Sequence, residues 1–280
     1  MSEAQFTDAH CHPFDLVRHF PAAEDERRRL GVICAASAAT AEEFTYCEQL
    51  SRQAQPDYAA LLPCYAVHPQ MPAVMSVPEL SLFNDQLAML ETLAVQKRIA
   101  AVGETGFDLY NAAFRETEHI QDALFVNHLE TALRHDLPLV IHARRAMHKI
   151  FAYSDLLKKC RAVIFHSWPG TAGEGEALLR RGINAFFSFG NVIMLNHREA
   201  MRCCAVFPAD RLLTETDAPF QPPRGEKKSG YADLQRILET MSALRREAAV
   251  REASVRETVD LNAAETKKII EKNFRAAFNV

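Results

Sequence analysis

No apolar run in these 280 residues approaches the length needed to cross a bilayer, which argues against any membrane-spanning segment. An excess of basic charge is also missing. The 32 Lys and Arg stand against 36 Asp and Glu, the two signs are interspersed, and the formal net charge is −4. That balance excludes a protein coating nucleic acid by bulk charge, but not an enzyme that grips one phosphate locally. The seven cysteines show no CxxC spacing, and several, such as Cys34 and Cys64, lie inside apolar runs. They read as buried free thiols of a reducing compartment, not as a disulfide framework or a zinc knuckle. The segment MSEAQFTDA has no basic stretch followed by an apolar one, so no secretory signal and a cytoplasmic location are expected. Internal repeats, low-complexity tracts and interdomain linkers are lacking too. A single domain over residues 1–280 is therefore expected, with no obligate protein partner implied.

What is present is apolar content of 48%, enough for a large core. It falls into short β-rich runs that alternate with longer amphipathic ones. The strand candidates are FTDAHCH (6–12), GVICAAS (31–37), AALLPCYAV (59–67), RIAAVGETGF (98–107), LPLVIHA (137–143), RAVIFHSW (161–168), INAFFSF (183–189) and RLLTETDAPF (211–220). Between them, stretches such as 40–54 and 119–136 carry apolar residues at three- and four-residue spacing, the helical period. Thr40 with Glu43, and Thr171 with Glu174, match the capping box at helix starts. Strand–helix alternation means βα units and a parallel sheet. Eight units in this length predict an α/β fold, a (β/α)8 TIM barrel, followed by a helical C-terminal part from about Ala232. An open doubly wound sheet is the alternative, weakened because no GxGxxG follows the first strand.

Asp8, His10 and His12 alternate within the first candidate strand, so a regular strand would present a carboxylate and two imidazoles on one face. By itself that is either a solvated edge or half of a metal site. The rest of the chain decides between them. Glu104 follows the apolar run of the fourth strand, His142 ends the fifth, His166 the sixth and Asp217 the eighth. A barrel builds its active site at these strand ends. Four imidazoles and two carboxylates converging there make a site for two divalent cations, Zn2+, Mn2+ or Mg2+ among them, with Glu104 able to bridge. Other histidines (His19, His119, His128, His135, His148, His197) read as surface or as satisfied structural partners. Asp8 is either a hydrogen-bond partner that fixes a ligand or a strand-start residue.

The order of DAHCH, HPQ, GETGFD, VIHARRA, FHSWPG, FFSFGNV, LLTETDAPF, PPRG and NFRAAF along nearly the whole chain resembles the TatD family of metal-dependent hydrolases. The most specific pieces are HxH, GExGxD, the strand-end IHxR and ETDxP. The resemblance implies a TIM barrel of the amidohydrolase kind, two divalent metals and deoxyribonuclease activity on phosphodiester bonds. Its ligands fall on His10, His12, Glu104, His142, His166 and Asp217. The chain also departs from the family. HCFSG becomes HSWPG, with Ser167, Trp168 and Pro169. The commonly acidic residue after IHxR is Arg145, and Lys228 and Gly230 replace an Asn and a Pro beyond PPRG. None of these removes a ligand; they bear on substrate choice.

Two cations about 4 Å apart share a water and lower its pKa toward neutrality. Asp217 is expected to ligate one metal and to orient or deprotonate that water, and Glu104 to share in catalysis as the bridge. His68, at the end of the third strand, matches the family's HP element and is expected to touch the substrate phosphate or leaving oxygen. Arg144, two residues past His142, could fork onto a phosphate. Asp108 is expected just behind the ligands. Arg224 either reaches the substrate or is solvated, and Trp168 either stacks on a base or packs. DNA is thus the expected substrate. A small-molecule amide, lactone or phosphotriester is the alternative, and a non-enzymatic barrel is disfavoured because every ligand is present. Related barrels acting on small molecules often bridge their metals through a carboxylated lysine, where this chain has Glu104.

Overall fold

The computed structural model describes residues 4–53, 60–76, 79–252 and 262–280, the side chains of residues 251 and 252 excepted. Its strands are β1 (Thr7–Cys11), β2 (Ile33–Ala38), β3 (Leu61–Tyr65), β4 (Ala101–Asp108), β5 (Leu139–Arg144), β6 (Val163–Phe165), β7 (Ala185–Phe189) and β8 (Leu212–Thr214), with helices between them. Consecutive strands pair in parallel from β1 to β8. The ring closes just beyond β8, where Asp217 N–H donates to the His10 carbonyl (2.9 Å) and His12 N–H to the Ala218 carbonyl (2.8 Å). This is the (β/α)8 barrel expected from the alternation; the open sheet is excluded.

The strands are apolar because a barrel strand is covered on both faces. Every residue of β1, β2, β4, β7 and β8 is buried. Ala9, Ile33, Cys64, Ala101, Val140, Ile164, Phe186 and Leu213 meet in one cluster, joined by Phe274 and Phe278 of the C-terminal helix Ala263–Phe278. A second, larger cluster lies between strands and helices. The helix Glu118–His135, for example, contributes Phe125, Leu129 and Ala132 to it, while its Ile120 and Leu124 pack with Val67 and Phe83. All seven cysteines are buried and free. No helix among the described residues is long and apolar enough to cross a membrane.

Three local departures from the sequence reading have physical causes. β6 and β8 are each only three residues long, because the chain turns out of the sheet to build the site: Ser167 has φ +43° and Asp217 φ +51°. The capping box at Thr171 and Glu174 is complete, whereas Glu43 accepts the Ala39 N–H (2.7 Å), one residue before the expected Thr40. The expected helical C-terminal part comprises Asp233–Glu252 and Ala263–Phe278, and residues 253–261 lie outside the described residues.

β1 is not a regular alternating strand. Asp8 pairs with Cys34 and Cys11 with Ala36, so three steps of β1 match two of β2. This bulge separates Asp8 from the two imidazoles. Its carboxylate instead accepts from the Thr216 N–H (2.9 Å), the Thr216 hydroxyl (2.6 Å) and the His10 N–H (3.3 Å). Asp8 thus fixes the backbone of a predicted ligand across the closing seam. Burial pushes its carboxyl up to about 7, with the Thr216 hydrogen bonds pulling the other way.

Candidate metal centre

All six residues picked from strand ends come together at one mouth of the barrel, and Glu104 stands at their centre. Its two oxygens face different partners. Oε2 lies 3.1 Å from His10 Nε2 and 3.7 Å from His12 Nε2. Oε1 lies 2.7 Å from His142 Nδ1, 3.1 Å from His166 Nε2 and 3.2 Å from His68 Nε2. Asp217 Oδ1 completes the first side, 3.4 Å from His12 Nε2 and 3.6 Å from His10 Nε2. Three groups of ligand atoms are close enough to hold an ion: His10, His12 and Asp217; His10, Glu104 and His166; His68, Glu104 and His142.

Burial acts against charge here, and the neighbours of opposite sign decide the outcome. Burial raises the Glu104 carboxyl, but His68, His10 and His166 hold it well below the usual range. Burial raises Asp217 as well, and its hydrogen bond to His12, with His166 and His10 nearby, more than offsets that. Among the imidazoles burial lowers the pKa. Glu104 and Glu215 nonetheless lift His166 well above its ordinary value. Asp108 and Glu104 lift His142, and Asp217 lifts His12. His10 alone is lowered, by burial and by the neighbouring His166. No Lys or Arg pairs with Glu104 or Asp217 among the described residues. Two buried carboxylates balanced only by imidazoles fit divalent cations, which supply the same positive charge in place of the ring protons.

Several residues behind the ligands were not singled out from the sequence. Glu215, two positions before Asp217, accepts the Ser167 N–H (2.7 Å) and lies 3.4 Å from His166 Nδ1. Its place in the β8 alternation was the available signal. Gln221 donates to Asp217 Oδ2 (2.8 Å) and bonds the Ser167 hydroxyl (2.9 Å). The departure at Ser167 therefore supports the candidate ligand Asp217 through Gln221. Asp108, expected near the site, lies 3.2 Å from His142 Nε2 and accepts from Gln70 Nε2 (2.7 Å). The Gln70 N–H also bonds His68 Nδ1 (3.2 Å), an element the HPQ motif carried without revealing it.

Three more residues of the sequence reading, Trp168, Arg144 and Arg224, lie around the cluster and not in it. Trp168 packs edge-on to Phe165 and Phe187 and is 3% exposed, so it offers no face to a base. Arg144 is exposed at the end of β5, its guanidinium 3.7 Å above the Tyr110 ring and not on the six clustered residues. Arg224 is exposed in the loop beyond β8. At the mouth, the Phe220 ring is 44% exposed and edge-on to His12 at 5.2 Å.

Residues 7–279, which include every member of this cluster, match the family model described as TatD related DNase. The chain belongs to the TatD family. With it, this TatD protein is a metal-dependent hydrolase acting on ester bonds. It is 30% identical over 257 residues to the Escherichia coli (strain K12) protein named uncharacterized metal-dependent hydrolase YjjV, covering 88% of this chain and 92% of that one. A 3'-5' ssDNA/RNA exonuclease TatD of Cronobacter turicensis is 32% identical over 171 residues, 60% of each protein. The crystal structure of E. coli YjjV superposes with a TM-score of 0.77 over 98% of both chains at 25% identity.

Proposed function

We propose that this TatD protein hydrolyses phosphodiester bonds of nucleic acid, DNA above all, from a strand end, using two divalent cations that share Glu104. The observation that carries this reading is the division of Glu104, one oxygen toward His10 and His12 and the other toward His142 and His166. His10, His12, Glu104 and Asp217 would hold one cation, and Glu104, His142 and His166 the other. Bound there, the ions would supply Lewis acidity toward the phosphate and a water acidic enough to be a nucleophile at neutral pH. The relative named as an ssDNA/RNA exonuclease supports a nucleic-acid substrate.

The chain's own groups then divide the remaining work. Gln221 fixes Asp217 through Oδ2, leaving Oδ1 to face the cluster, where it can orient the attacking water or take its proton. His68 Nδ1 accepts the Gln70 N–H, so the neutral ring carries its proton on Nε2 and points a donor into the site. That donor suits a phosphate or leaving oxygen. Because His12, His142 and His166 are readily protonated in the absence of metal, cation uptake here is coupled to proton release.

The test is hydrolysis of end-labelled single-stranded DNA by chelator-stripped protein with Mg2+, Mn2+ or Zn2+ restored, beside Glu104→Ala and Asp217→Ala. Metal-dependent shortening from one end is expected, reduced at least about a hundredfold in both folded variants. No shortening with any metal would overturn the nuclease reading in favour of a small ester, lactone or amide. Equal shortening by the variants would expose a contaminant.

A further inference from the structure

Beside the cluster, beyond the ends of β4 and β5, three arginines gather on one tyrosine. The Arg144 guanidinium lies 3.7 Å from the centre of the Tyr110 ring and that of Arg145 lies 4.6 Å from it. Arg145 and Arg115 each donate from Nη1 to the Tyr110 carbonyl at 3.3 Å. The group is tied to the metal centre by backbone. Leu109 N–H donates to the Arg144 carbonyl (2.9 Å), and Tyr110 N–H donates to Asp108 Oδ1 (2.9 Å), whose Oδ2 faces His142. Arg144 sits only two residues beyond His142, about 6–7 Å along the strand.

These charges lack the carboxylate partners that several other arginines of the molecule have. Arg28, Arg98, Arg134 and Arg161 each pair with a carboxylate at 2.7 Å or less. For Arg115, Arg144 and Arg145, no described carboxylate lies within ion-pair distance, although the chain has an acidic excess. Three like charges held together without an internal counter-charge are matched by an anionic ligand. The Tyr110 ring holds two guanidiniums at cation–π distance, and their N–H groups can fork onto a phosphate.

We infer that Arg115, Arg144 and Arg145, positioned by Tyr110, form a subsite for the sugar–phosphate backbone of a single strand next to the scissile bond. This rests on the nucleic-acid reading above and names how the strand is held. It also makes Arg145 a determinant of preference for polymer over small phosphoesters, since a substrate with one phosphate cannot reach both places.

The experiment measures binding and cleavage separately with the full-length protein in Mg2+ buffer. Fluorescence anisotropy of a labelled phosphorothioate oligothymidylate, which resists hydrolysis, is read over a range of salt for wild type, the triple Arg115→Ala/Arg144→Ala/Arg145→Ala variant and Arg145→Lys. The triple variant is expected to bind about tenfold or more weaker. Its slope of log affinity against log salt should be shallower by about 2, the contribution of three single-strand phosphate contacts. Arg145→Lys keeps the charge and should retain the slope with a smaller loss. If the triple variant does not fold, Arg145→Glu alone replaces it and must weaken binding. Unchanged affinity and slope would overturn the subsite, as would absence of wild-type binding. Wild-type binding with the expected losses, but no cleavage of ordinary DNA, would sustain the subsite as a binding site and sink the nuclease reading instead.

Discussion

At the scale of single residues, the centre depends on groups that touch no substrate. Glu215 is fully buried and its Oε1 accepts the Ser167 N–H, beside His166 Nδ1. A neutral ligating imidazole carries its proton on the nitrogen turned away from the metal, and a carboxylate there fixes both tautomer and ring plane. Glu215→Gln keeps the shape and removes the charge. It is expected to weaken divalent-cation affinity about 10–100-fold, measured by competition with a chelator. Affinity equal to the parent's would mean that Glu215 serves only the loop after β6. Gln221 and Gln70 play the corresponding part for Asp217 and Asp108.

Among the elements, β4 and β5 set the spacing of Glu104 and His142. Gly106 pairs with His142 across these strands, at φ +132°, and a Cβ there would lie 2.1 Å from the His142 carbonyl oxygen. Backbone meets backbone at that point, so nothing flexible can yield. Both the conformation and the contact require glycine. Gly106→Ala is expected to destabilise the fold by roughly 2–5 kcal/mol, combining strain and overpacking. It should also loosen metal binding, because the displaced strand carries His142. Chemical denaturation with and without cation reads the two effects apart; a stability within about 0.5 kcal/mol of the parent would contradict the argument.

For the whole molecule, the barrel is held at the site end by a histidine outside it. His128, on the helix Glu118–His135, is fully buried. Its Nε2 accepts the Val67 N–H (3.3 Å) and its Nδ1 lies 2.6 Å from the Thr105 hydroxyl, joining the residues beside His68 and Glu104. Burial lowers its pKa from 6.5 to about 3. The folded state therefore binds fewer protons than the unfolded chain between these values. The contribution is intact above pH 6.5 and is lost as pH falls toward 3, at about 1.4 kcal/mol per pH unit. Asp8, His12, His142 and His166 are shifted the other way in the metal-free fold, so the His128 contribution is read as a difference. From pH 7 to pH 5 in chelator, the stability advantage of the parent over His128→Gln should shrink with about that slope, with the variant less stable at pH 7. Parallel pH profiles for the two proteins would exclude His128 as the source.

Much of this was legible in order and spacing alone. Burial of both faces makes barrel strands continuously apolar, so the eight runs stood out, and a polar residue ending such a run has few reasons other than the site. His10, His12, Glu104, His142, His166 and Asp217 were therefore readable one strand at a time. The local alternation of β1 misled, because pairing with β2 introduces a bulge that turns Asp8 toward Thr216. Trp168 could not be placed from sequence, since which face of a strand end meets a helix layer depends on neighbours far along the chain, here Phe187 and Phe207. The same is true of Glu215 and Gln221, and of the arginines on Tyr110. Sequence order alone told which candidate ligand types end which strands. Only the closed ring decided which oxygen of Glu104 meets which imidazole, because hydrogen bonds and charge pairing act across chain separations that no local pattern records.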